Sequence, residues 1–216
     1  MTIRLVLADD HPVVREGVRA FLESDGEFEV IAQADDGTEV ARLVDRLQPD
    51  VVVVDLMMPG RSGLEVTREL AQRPAAAPVL ILTMYENEAY VLEALRSGAA
   101  GYALKQAPAV ELTRGIRAVA SGERYLSPPL SERALDAYVR RSDTHDDPLE
   151  ALTTREREVL HLVAEGHSNA EIAETLFISR RTVETHRAHA MKKLGIRTHV
   201  DLVLYAVRQG IIPQQD

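Results

Sequence analysis

The stretch VVVVDLMMPG, Val51 to Gly60, places a carboxylate directly after a strongly apolar run. Four consecutive valines are typical of a strand that is buried on both faces, as in a parallel sheet. Asp55 follows the valines, and Pro59-Gly60 predicts a turn shortly afterwards. Because ligands bind outside the carboxyl ends of strands in open α/β sheets, the sequence predicts that Asp55 lies at a ligand-binding rim.

The valine run is one of five predicted strands that alternate with helices over residues 1–122. This regular alternation predicts a doubly wound, five-stranded parallel α/β sheet with the flavodoxin-like strand order 2-1-3-4-5. The other strands are predicted at Ile3–Ala8, Phe28–Ala34, Val79–Thr83 and Gly101–Leu104. One helix is predicted to begin at Pro12, and four more are predicted at Gly37–Leu47, Ser62–Arg73, Asn87–Ser97 and Val110–Ser121.

Residues 123–148 break this alternation and are interpreted as a linker. A Ser-Pro-Pro sequence interrupts it, residues 130–141 could form one helix, and residues 142–148 are polar and charged. Residues 149–216 predict a small all-α domain of four helices. These helices are predicted at Thr154–Glu165, Asn169–Phe177, Arg180–Leu194 and His199–Gln209.

Local signals delimit the four helices. Two Ser/Thr–Glu pairs have the spacing of a capping box, two further residues are of the N-cap type, and three glycines follow helical stretches as stops. The capping-box pairs are Thr153 with Glu156 and Ser168 with Glu171. The further N-cap candidates are Ser179 and Thr198, and the stops are Gly166, Gly195 and Gly210.

The composition bounds the class of protein. The chain has 216 residues, of which 45% are hydrophobic, which suits one large domain or two small ones. A net charge of −9 excludes a generally basic nucleic-acid binder but leaves room for a local basic face. The absence of cysteine excludes disulfides and thiolate metal sites and fits a reducing compartment. Without a signal-peptide pattern or a long apolar run, we expect a cytoplasmic protein with no membrane partner.

Three carboxylates are predicted to converge near Asp55. In the predicted strand order the first and third strands are neighbours, so Asp9, Asp10 and Asp55 would meet at one rim. Crowded carboxylates repel one another and need a cation at neutral pH. Apart from His11, the nearby candidate ligands are oxygens, which suits Mg²⁺. The pocket is therefore predicted to support phosphoryl chemistry, with Asp55 as the nucleophile.

Two further strand ends would complete a phosphate site. Thr83 closes the fourth strand with a hydroxyl, and Lys105, one of three lysines in the chain, follows the fifth with an ammonium. Both could contact a phosphoryl group on Asp55. For Tyr102, simple packing and a switching role are equal alternatives. A single Asp or Lys at a strand end is commonly a turn residue or a solvated charge, and it is their joint occurrence that favours a functional pocket.

The elements LADD, VVVVDLMMPG, LTM and GYALK make residues 1–122 resemble a response-regulator receiver domain. The resemblance implies that a sensor histidine kinase phosphorylates Asp55. It implies that Asp10 and Asp55 ligate one Mg²⁺ directly, together with the backbone carbonyl of Met57, and that Asp9 supports the ion.

The same resemblance assigns the other rim residues. It implies Thr83 and Lys105 as phosphate partners and Tyr102 as an aromatic switch. It also implies that the domain assists only its own phosphotransfer and dephosphorylation, so we expect no enzyme. One departure is visible, because many receivers have proline directly after this lysine and Gln106 stands there instead. The isomer of the peptide after Lys105 therefore stays open.

The segment SRRTVETHRAHAMKKLG, Ser179 to Gly195, predicts a basic helix after a short helix and a tight turn. This is the helix-turn-helix arrangement, in which the second helix enters the major groove of DNA. Its core face is predicted to hold Val183, Ala190, Met191 and Leu194. We predict base contacts from Arg181, Glu184, Thr185 and Ala188, and phosphate contacts from Arg180, Thr182, Arg187 and Lys192. The alternative is that these cations merely solvate a helix.

The stretch from LTTREREVL to KKLGI closely resembles a LuxR-type helix-turn-helix domain. Together with the receiver, it implies a NarL/FixJ-type response regulator that covers nearly the whole chain. In that family the last helix carries dimer contacts, although core packing is an equal alternative for each apolar residue of its stripe. That stripe comprises Val200, Val203, Leu204 and Val207.

The sequence thus predicts a bacterial DNA-binding transcription regulator controlled by phosphorylation. Its expected partners are the sensor kinase, double-stranded promoter DNA and a second copy of the phosphorylated chain, with RNA polymerase as a further candidate. One rival hypothesis is a phosphorylation-independent DNA binder with a structural acidic pocket. A second is an aspartate-based phosphatase, against which stands the lack of a substrate-cap insertion or a second general acid beside Asp55.

Overall fold

The computed structural model describes residues 2–24, 26–73, 77–128, 130, 151–208 and 211. The chain divides into two compact units, one formed by residues 1–84 and 91–131 and the other by residues 85–90 and 132–216. Most of the predicted linker helix, at residues 130–141, and the predicted stop at Gly210 lie outside the described residues. None of the helices in the described part of the chain has the length and apolar content that crossing a bilayer requires.

The first unit is built on a parallel sheet. Its strand order is β2-β1-β3-β4-β5-β6, so the predicted order of the first five strands is confirmed. The sixth strand lies in the region that was interpreted as linker; with only two residues, it shows no alternation from which it could be predicted. The strands are β1 (Ile3–Ala8), β2 (Phe28–Ala34), β3 (Val51–Val54), β4 (Val79–Thr83), β5 (Gly101–Leu104) and β6 (Tyr125–Leu126).

Five helices accompany this sheet, and their predicted bounds hold within two residues. The third helix begins one residue later than predicted, because Ser62 is its N-cap and forms a capping box with Glu65. All four valines of β3 are fully buried, as a strand covered on both faces requires. The helices are α1 (Pro12–Glu23), α2 (Gly37–Leu47), α3 (Gly63–Ala71), α4 (Glu88–Arg96) and α5 (Ala109–Ala120).

Two glycines shape the loop that follows β3. Gly60 has a φ of +72°, and a Cβ there would collide with the carboxylate of Asp36. At Gly63 a Cβ would collide with the backbone carbonyl of Asp55, and the Gly63 amide donates to the carbonyl of Leu56 at 2.8 Å. The predicted Pro-Gly turn is therefore confirmed, and α3 can begin directly against the residue that follows β3.

The second unit contains four helices whose predicted caps are confirmed. Both capping boxes are present, and the hydroxyls of Ser179 and Thr198 accept backbone hydrogen bonds from Thr182 and Asp201. Gly166 and Gly195 have positive φ angles of 95° and 67° after helix ends. The helices are α6 (Thr154–Ala164), α7 (Asn169–Thr175), α8 (Arg180–Lys193) and α9 (His199–Arg208).

Helix α8 packs on the core of this unit through the predicted face. Val183 and Ala190 are fully buried, and Met191 and Leu194 pack against the cluster as partly buried side chains. The cluster also includes Val159, Leu160, Ile172, Leu176, Leu202 and Ala206. One face of α8 is thereby fixed, and the opposite face is left to solvent.

Candidate functional site

The ends of two neighbouring strands bring the acidic residues together. β1 and β3 are paired in parallel with Ala8 opposite Val54, so the residues that follow them are neighbours. The amide of Asp55 donates to the carbonyl of Ala8 at 2.8 Å. One ligand atom from each of Asp9, Asp10, His11 and Asp55 lies within 4.8 Å of the others. We call these four residues, together with Lys105 beyond β5, the pocket.

Lys105 joins the two most buried carboxylates of the pocket. Its Nζ lies 2.7 Å from Oδ2 of Asp9 and 2.7 Å from Oδ2 of Asp55. The side chain of Lys105 is only 9% exposed. The main chain is also held, because the Lys105 amide donates to the carbonyl of Thr83 at 2.8 Å. A residue 50 positions from Asp55 is thus fixed against it by the strand pairing.

The electrostatics of the pocket leave an excess of negative charge. Burial raises the pKa of the Asp55 carboxyl to about 6, although the Lys105 ammonium opposes this shift. Burial likewise raises the pKa of Asp10. For Lys105, burial works against the charged form, but Asp55 and Asp9 together outweigh it and the pKa is raised. Three carboxylates around one ammonium fit a divalent cation that prefers oxygen ligands.

The other predicted residues of this site occupy distinct places. Thr83 closes β4 at the same end of the sheet as Asp55, and it is fully buried. Tyr102 lies within β5 opposite Ile81, and its ring is also fully buried. Met57, two residues after Asp55, is partly exposed. No peptide bond in the described part of the chain is cis, so the one after Lys105 is trans.

Two supporting residues were not predicted from the sequence. The guanidinium of Arg15 in α1 donates to the backbone carbonyl of Asp9. The Ser127 hydroxyl accepts from the amide of Leu104 at 3.2 Å, one residue before Lys105. Arg15 could have been suspected, because it lies one helical turn after His11. Ser127 gave no signal, since it follows a strand too short to be predicted.

The predicted DNA-contacting residues lie on α8, the basic helix. Most are exposed, while Thr182 and Arg187 are partly buried. Thr182 has a structural role as well, because its hydroxyl lies 2.7 Å from that of the N-cap Ser179. The Thr185 hydroxyl donates to the Arg181 carbonyl within the helix, at 2.9 Å. The exposed residues are Arg180, Arg181, Glu184, Thr185, Ala188 and Lys192.

The last lysine of the basic helix has a different environment from its neighbour. Nζ of Lys193 lies 2.6 Å from Oε2 of Glu156, which is buried at the start of α6. Burial acts to raise the pKa of Glu156, but the hydrogen bonds from Lys193 and Thr153 prevail and lower it. Lys192 is exposed. The capping-box spacing predicted that Glu156 caps the start of α6, whereas nothing in the sequence indicated its ion pair with Lys193.

Half of the apolar stripe of α9 is exposed to solvent. Leu202 and Ala206 are fully buried and face the cluster, whereas Val200 is 66% exposed and Leu204 is 50% exposed. The other two residues of the stripe, Val203 and Val207, are partly buried. Of the two alternatives for the stripe, core packing is therefore the weaker for Val200 and Leu204.

Comparison with known families accounts for both units. Residues 5–117 match the model of the response regulator receiver domain, and residues 150–206 match that of bacterial regulatory proteins of the luxR family. The chain is a two-component response regulator. It is 42% identical to the oxygen regulatory protein NreC of Staphylococcus aureus (strain JH9), over 97% of this chain and 99% of that protein. The predicted family, of the NarL/FixJ type, is thus confirmed.

Solved structures of response regulators extend the likeness to the whole chain. The response regulator ChrA of a heme-sensing two-component system is 40% identical, with a TM-score of 0.54, over 98% of this chain and 99% of that one. RcsB of Salmonella enterica serovar Typhimurium, bound to a promoter in the presence of phosphomimetic BeF₃⁻, is 28% identical, with a TM-score of 0.70, over 96% of this chain and 100% of that one. The present chain is likewise a DNA-binding transcription regulator, and its family does not consist of typical enzymes.

Proposed function

We propose that Asp55 accepts a phosphoryl group from the phosphohistidine of a sensor kinase and that this controls DNA binding by α8. The observation that carries the proposal is the environment of Asp55. It is a buried carboxylate at the rim of a sheet, 2.7 Å from one ammonium and beside two further carboxylates. Such an arrangement suits a nucleophile whose product carries additional negative charge.

In the proposed transfer, the P–N bond of the donor breaks as a P–O bond forms to a carboxylate oxygen of Asp55. With a pKa of about 6, Asp55 is mostly ionised at neutral pH and can act as the nucleophile. Asp9, Asp10, Asp55 and the backbone carbonyl of Met57 would hold one Mg²⁺. When bound, Mg²⁺ would neutralise charge on the phosphoryl oxygens and orient them in line with the attack.

The response to phosphorylation is proposed to begin at two strand ends. Lys105 already pairs with Asp55 and can move its ammonium to a phosphoryl oxygen. Thr83 can offer its hydroxyl from the neighbouring strand. The buried ring of Tyr102, two residues from the end of β5, would respond to a shift of Thr83 and so act as the switch. Once the phosphate is lost by hydrolysis within the pocket, the resting arrangement returns.

The DNA-binding step is proposed to use the exposed face of α8. Glu184, Thr185, Ala188 and Arg181 would meet base edges, and phosphate contacts would come from Arg180, Thr182, Arg187 and Lys192. The structure of RcsB bound to a promoter in the presence of a phosphomimetic supports a link between phosphorylation and DNA binding. We propose that the phosphorylated chain binds promoter DNA as a homodimer through Val200, Val203, Leu204 and Val207, with RNA polymerase as a further partner.

The decisive experiment compares the wild-type chain with Asp55→Asn. Intact-mass analysis after incubation with acetyl phosphate and Mg²⁺ should show one added phosphoryl group on the wild type and none on the variant. Asp35→Asn, which changes an exposed carboxylate of the same unit, is the matched control and should be labelled normally. Footprinting on genomic fragments should show tighter binding after labelling of the wild type and of Asp35→Asn, and no change for Asp55→Asn. Labelling of Asp55→Asn at the wild-type level would contradict the assignment.

A further inference from the structure

The start of α3 lies directly against the main chain of Asp55. The Gly63 amide donates to the carbonyl of Leu56 at 2.8 Å, and a Cβ on Gly63 would lie 2.2 Å from the carbonyl oxygen of Asp55. The side chain of Asp55 is buried, so a group added to it has little free space. A displacement of the main chain at Asp55 would therefore be passed to the first turn of α3.

Helix α3 is well built to carry such a displacement along its length. Its first turn is closed by the capping box of Ser62 with Glu65, and the Thr67 hydroxyl donates to the Gly63 carbonyl at 2.6 Å. The helix has nine residues, and its buried face holds Leu64, Val66 and Leu70. Because the helix is packed and capped, we expect it to move as one body.

Arg68 connects α3 to α4. Its Nη2 donates to Oε1 of Glu93 at 3.1 Å and to Oγ of Ser97 at 3.2 Å, and we call these two contacts the tether. The Arg68 side chain is 46% exposed, so burial alone does not account for its position. Close by, Gly98 has a φ of +100°, and a Cβ on it would lie 2.6 Å from that of Ala71. The ends of the two helices are thus held together by the tether and by one close approach.

Helix α4 belongs in part to each unit. It begins after Thr83, and its residues up to Tyr90 group with the second unit, whereas those from Val91 onwards group with the first. The partners of Arg68 in the tether lie in the part that belongs to the first unit. The tether therefore acts on a helix whose position both units share.

We infer that Arg68 is a positioning residue that transmits the phosphorylation state of Asp55 to α4 through α3. This connection is separate from the one through Thr83 and Tyr102. The inference rests on the proposed phosphorylation of Asp55 and adds a second route by which it controls the DNA-binding unit. A phosphoryl group adds charge and bulk, and packed elements respond to such changes by moving between discrete arrangements. With α3 seated on Asp55 and tied to α4, the two helices move together.

The competing explanation is that Arg68 only stabilises the packing of α3 beside α4. The two explanations differ in how the phosphorylated and unphosphorylated forms respond to its loss. A contact that only stabilises packing changes the DNA affinity of both forms by the same factor, so the ratio of the two affinities stays constant. A contact that transmits the signal changes this ratio, which is the measure of coupling between two sites.

The test measures the affinity of the full-length protein for a genomic fragment protected in footprinting, before and after labelling with acetyl phosphate and Mg²⁺. In Arg68→Met, Asp55 should be labelled normally, but the gain in affinity on labelling should be about threefold smaller than in the wild type. Glu93→Gln keeps the size of the side chain, removes its charge and should also reduce the gain. Arg42→Met is the matched control, because Arg42 pairs with Glu39 inside α2 at 2.9 Å, and it should respond as the wild type does.

Combined variants test whether the route is separate. Arg68→Met with Glu93→Gln should lose no more of the gain than Arg68→Met alone, since both substitutions break the same tether; additive losses would mean that Arg68 acts elsewhere. In a Thr83→Ala background, Arg68→Met should further reduce the gain that remains. Absence of any further reduction would place Arg68 on the Thr83 route and overturn the separate connection.

The outcomes also distinguish the inference from the function on which it rests. An unchanged gain in Arg68→Met, with Asp55 labelled, would overturn the role of Arg68 and leave control by phosphorylation standing. Equal losses of affinity in both forms would likewise overturn it and assign Arg68 to packing. If the wild type took no label, or gained no affinity on labelling, the proposed function itself would fail.

Discussion

The pocket and the basic helix hold their charges in opposite ways. The pocket gathers buried charges from residues far apart in the sequence, with Asp55 and Lys105 separated by 50 positions. The basic helix presents exposed charges from one continuous run, and the ion pair of Lys193 with Glu156 holds its end. Function in the first case depends on the whole sheet, and in the second on one helix and its attachments.

This difference predicts where substitutions will affect folding and where they will affect binding alone. A buried charge that loses its partner keeps its desolvation cost, so changes in the pocket alter the free energy of unfolding. Exposed cations keep most of their hydration, so their positions cost little free energy. Changes on the basic helix therefore alter contacts with DNA. Residues that contribute both to folding and to binding give the sharpest tests.

Lys105→Ala should give the largest effect. The substitution leaves the carboxylates of Asp9 and Asp55 buried without their shared ammonium, and breaking such a pair costs about 3–5 kcal/mol. Urea unfolding of the first unit in the presence of EDTA measures it, and added Mg²⁺ should recover part of the loss. Gln106→Ala, at the exposed neighbouring position, is the control. Equal stability of both variants would mean that the pocket tolerates unpaired carboxylates.

Asp55→Asn should stabilise the chain without divalent ions. Burial raises the Asp55 pKa from 3.8 to about 6, so the folded state binds the proton more tightly and loses stability as pH rises through this interval. At neutral pH the ionised carboxyl therefore costs about 3 kcal/mol, which the uncharged amide avoids. Urea unfolding in EDTA should show the gain at about pH 7.5 and its disappearance near pH 4. If the gain in stability persisted at acidic pH, it would come from packing and not from removal of the charge.

The sequence predicts the pocket well because the responsible residues directly follow strands. Once the strand order is known, the carboxyl ends of parallel strands must meet, so Asp9, Asp10, Asp55 and Lys105 could be placed together without coordinates. The ring orientation of His11 could not be predicted, since it depends on a rotamer and on a backbone fixed by Asp9 and Pro12. The sixth strand was missed because two residues carry no periodicity.

The four helices of the second unit were predicted to within two residues, since each begins at a capping residue. The function of each basic side chain was harder to predict from the sequence. Lys192 and Lys193 are adjacent and chemically identical, and the sequence counted both in one basic face. Only the packing of α8 on α6 distinguishes them, because it brings Glu156, 37 positions away, to Lys193.

Lys193→Met and Lys192→Met should therefore have separate effects. Loss of the ion pair with Glu156 should cost about 1 kcal/mol of unfolding free energy, a modest value because Lys193 is 37% exposed. The lowered pKa of Glu156 means that this contribution is present above its ordinary pKa of 4.5 and is lost as pH falls further. Lys192→Met should leave stability unchanged and reduce the salt slope of DNA binding by about one per helix.

Thermal or urea unfolding at two pH values, with DNA titrations over a range of salt concentrations, checks both halves of this prediction. If Lys193→Met reduced the salt slope as Lys192→Met does while leaving stability intact, the ion pair would not hold in solution, and both lysines would belong to the DNA-binding face.

Leu204→Lys should have only a small effect on folding and still impair assembly. Leu204 is 50% exposed on α9, so a polar replacement should change the unfolding free energy by no more than about 0.5 kcal/mol. Leu202→Ala, on the fully buried face of the same helix, should cost about 3 kcal/mol. Sedimentation of the phosphorylated chain with promoter DNA should show a weakened dimer for Leu204→Lys. If Leu204→Lys instead unfolded the unit as Leu202→Ala does, the stripe would belong to the core after all, and the second copy would have to be held elsewhere.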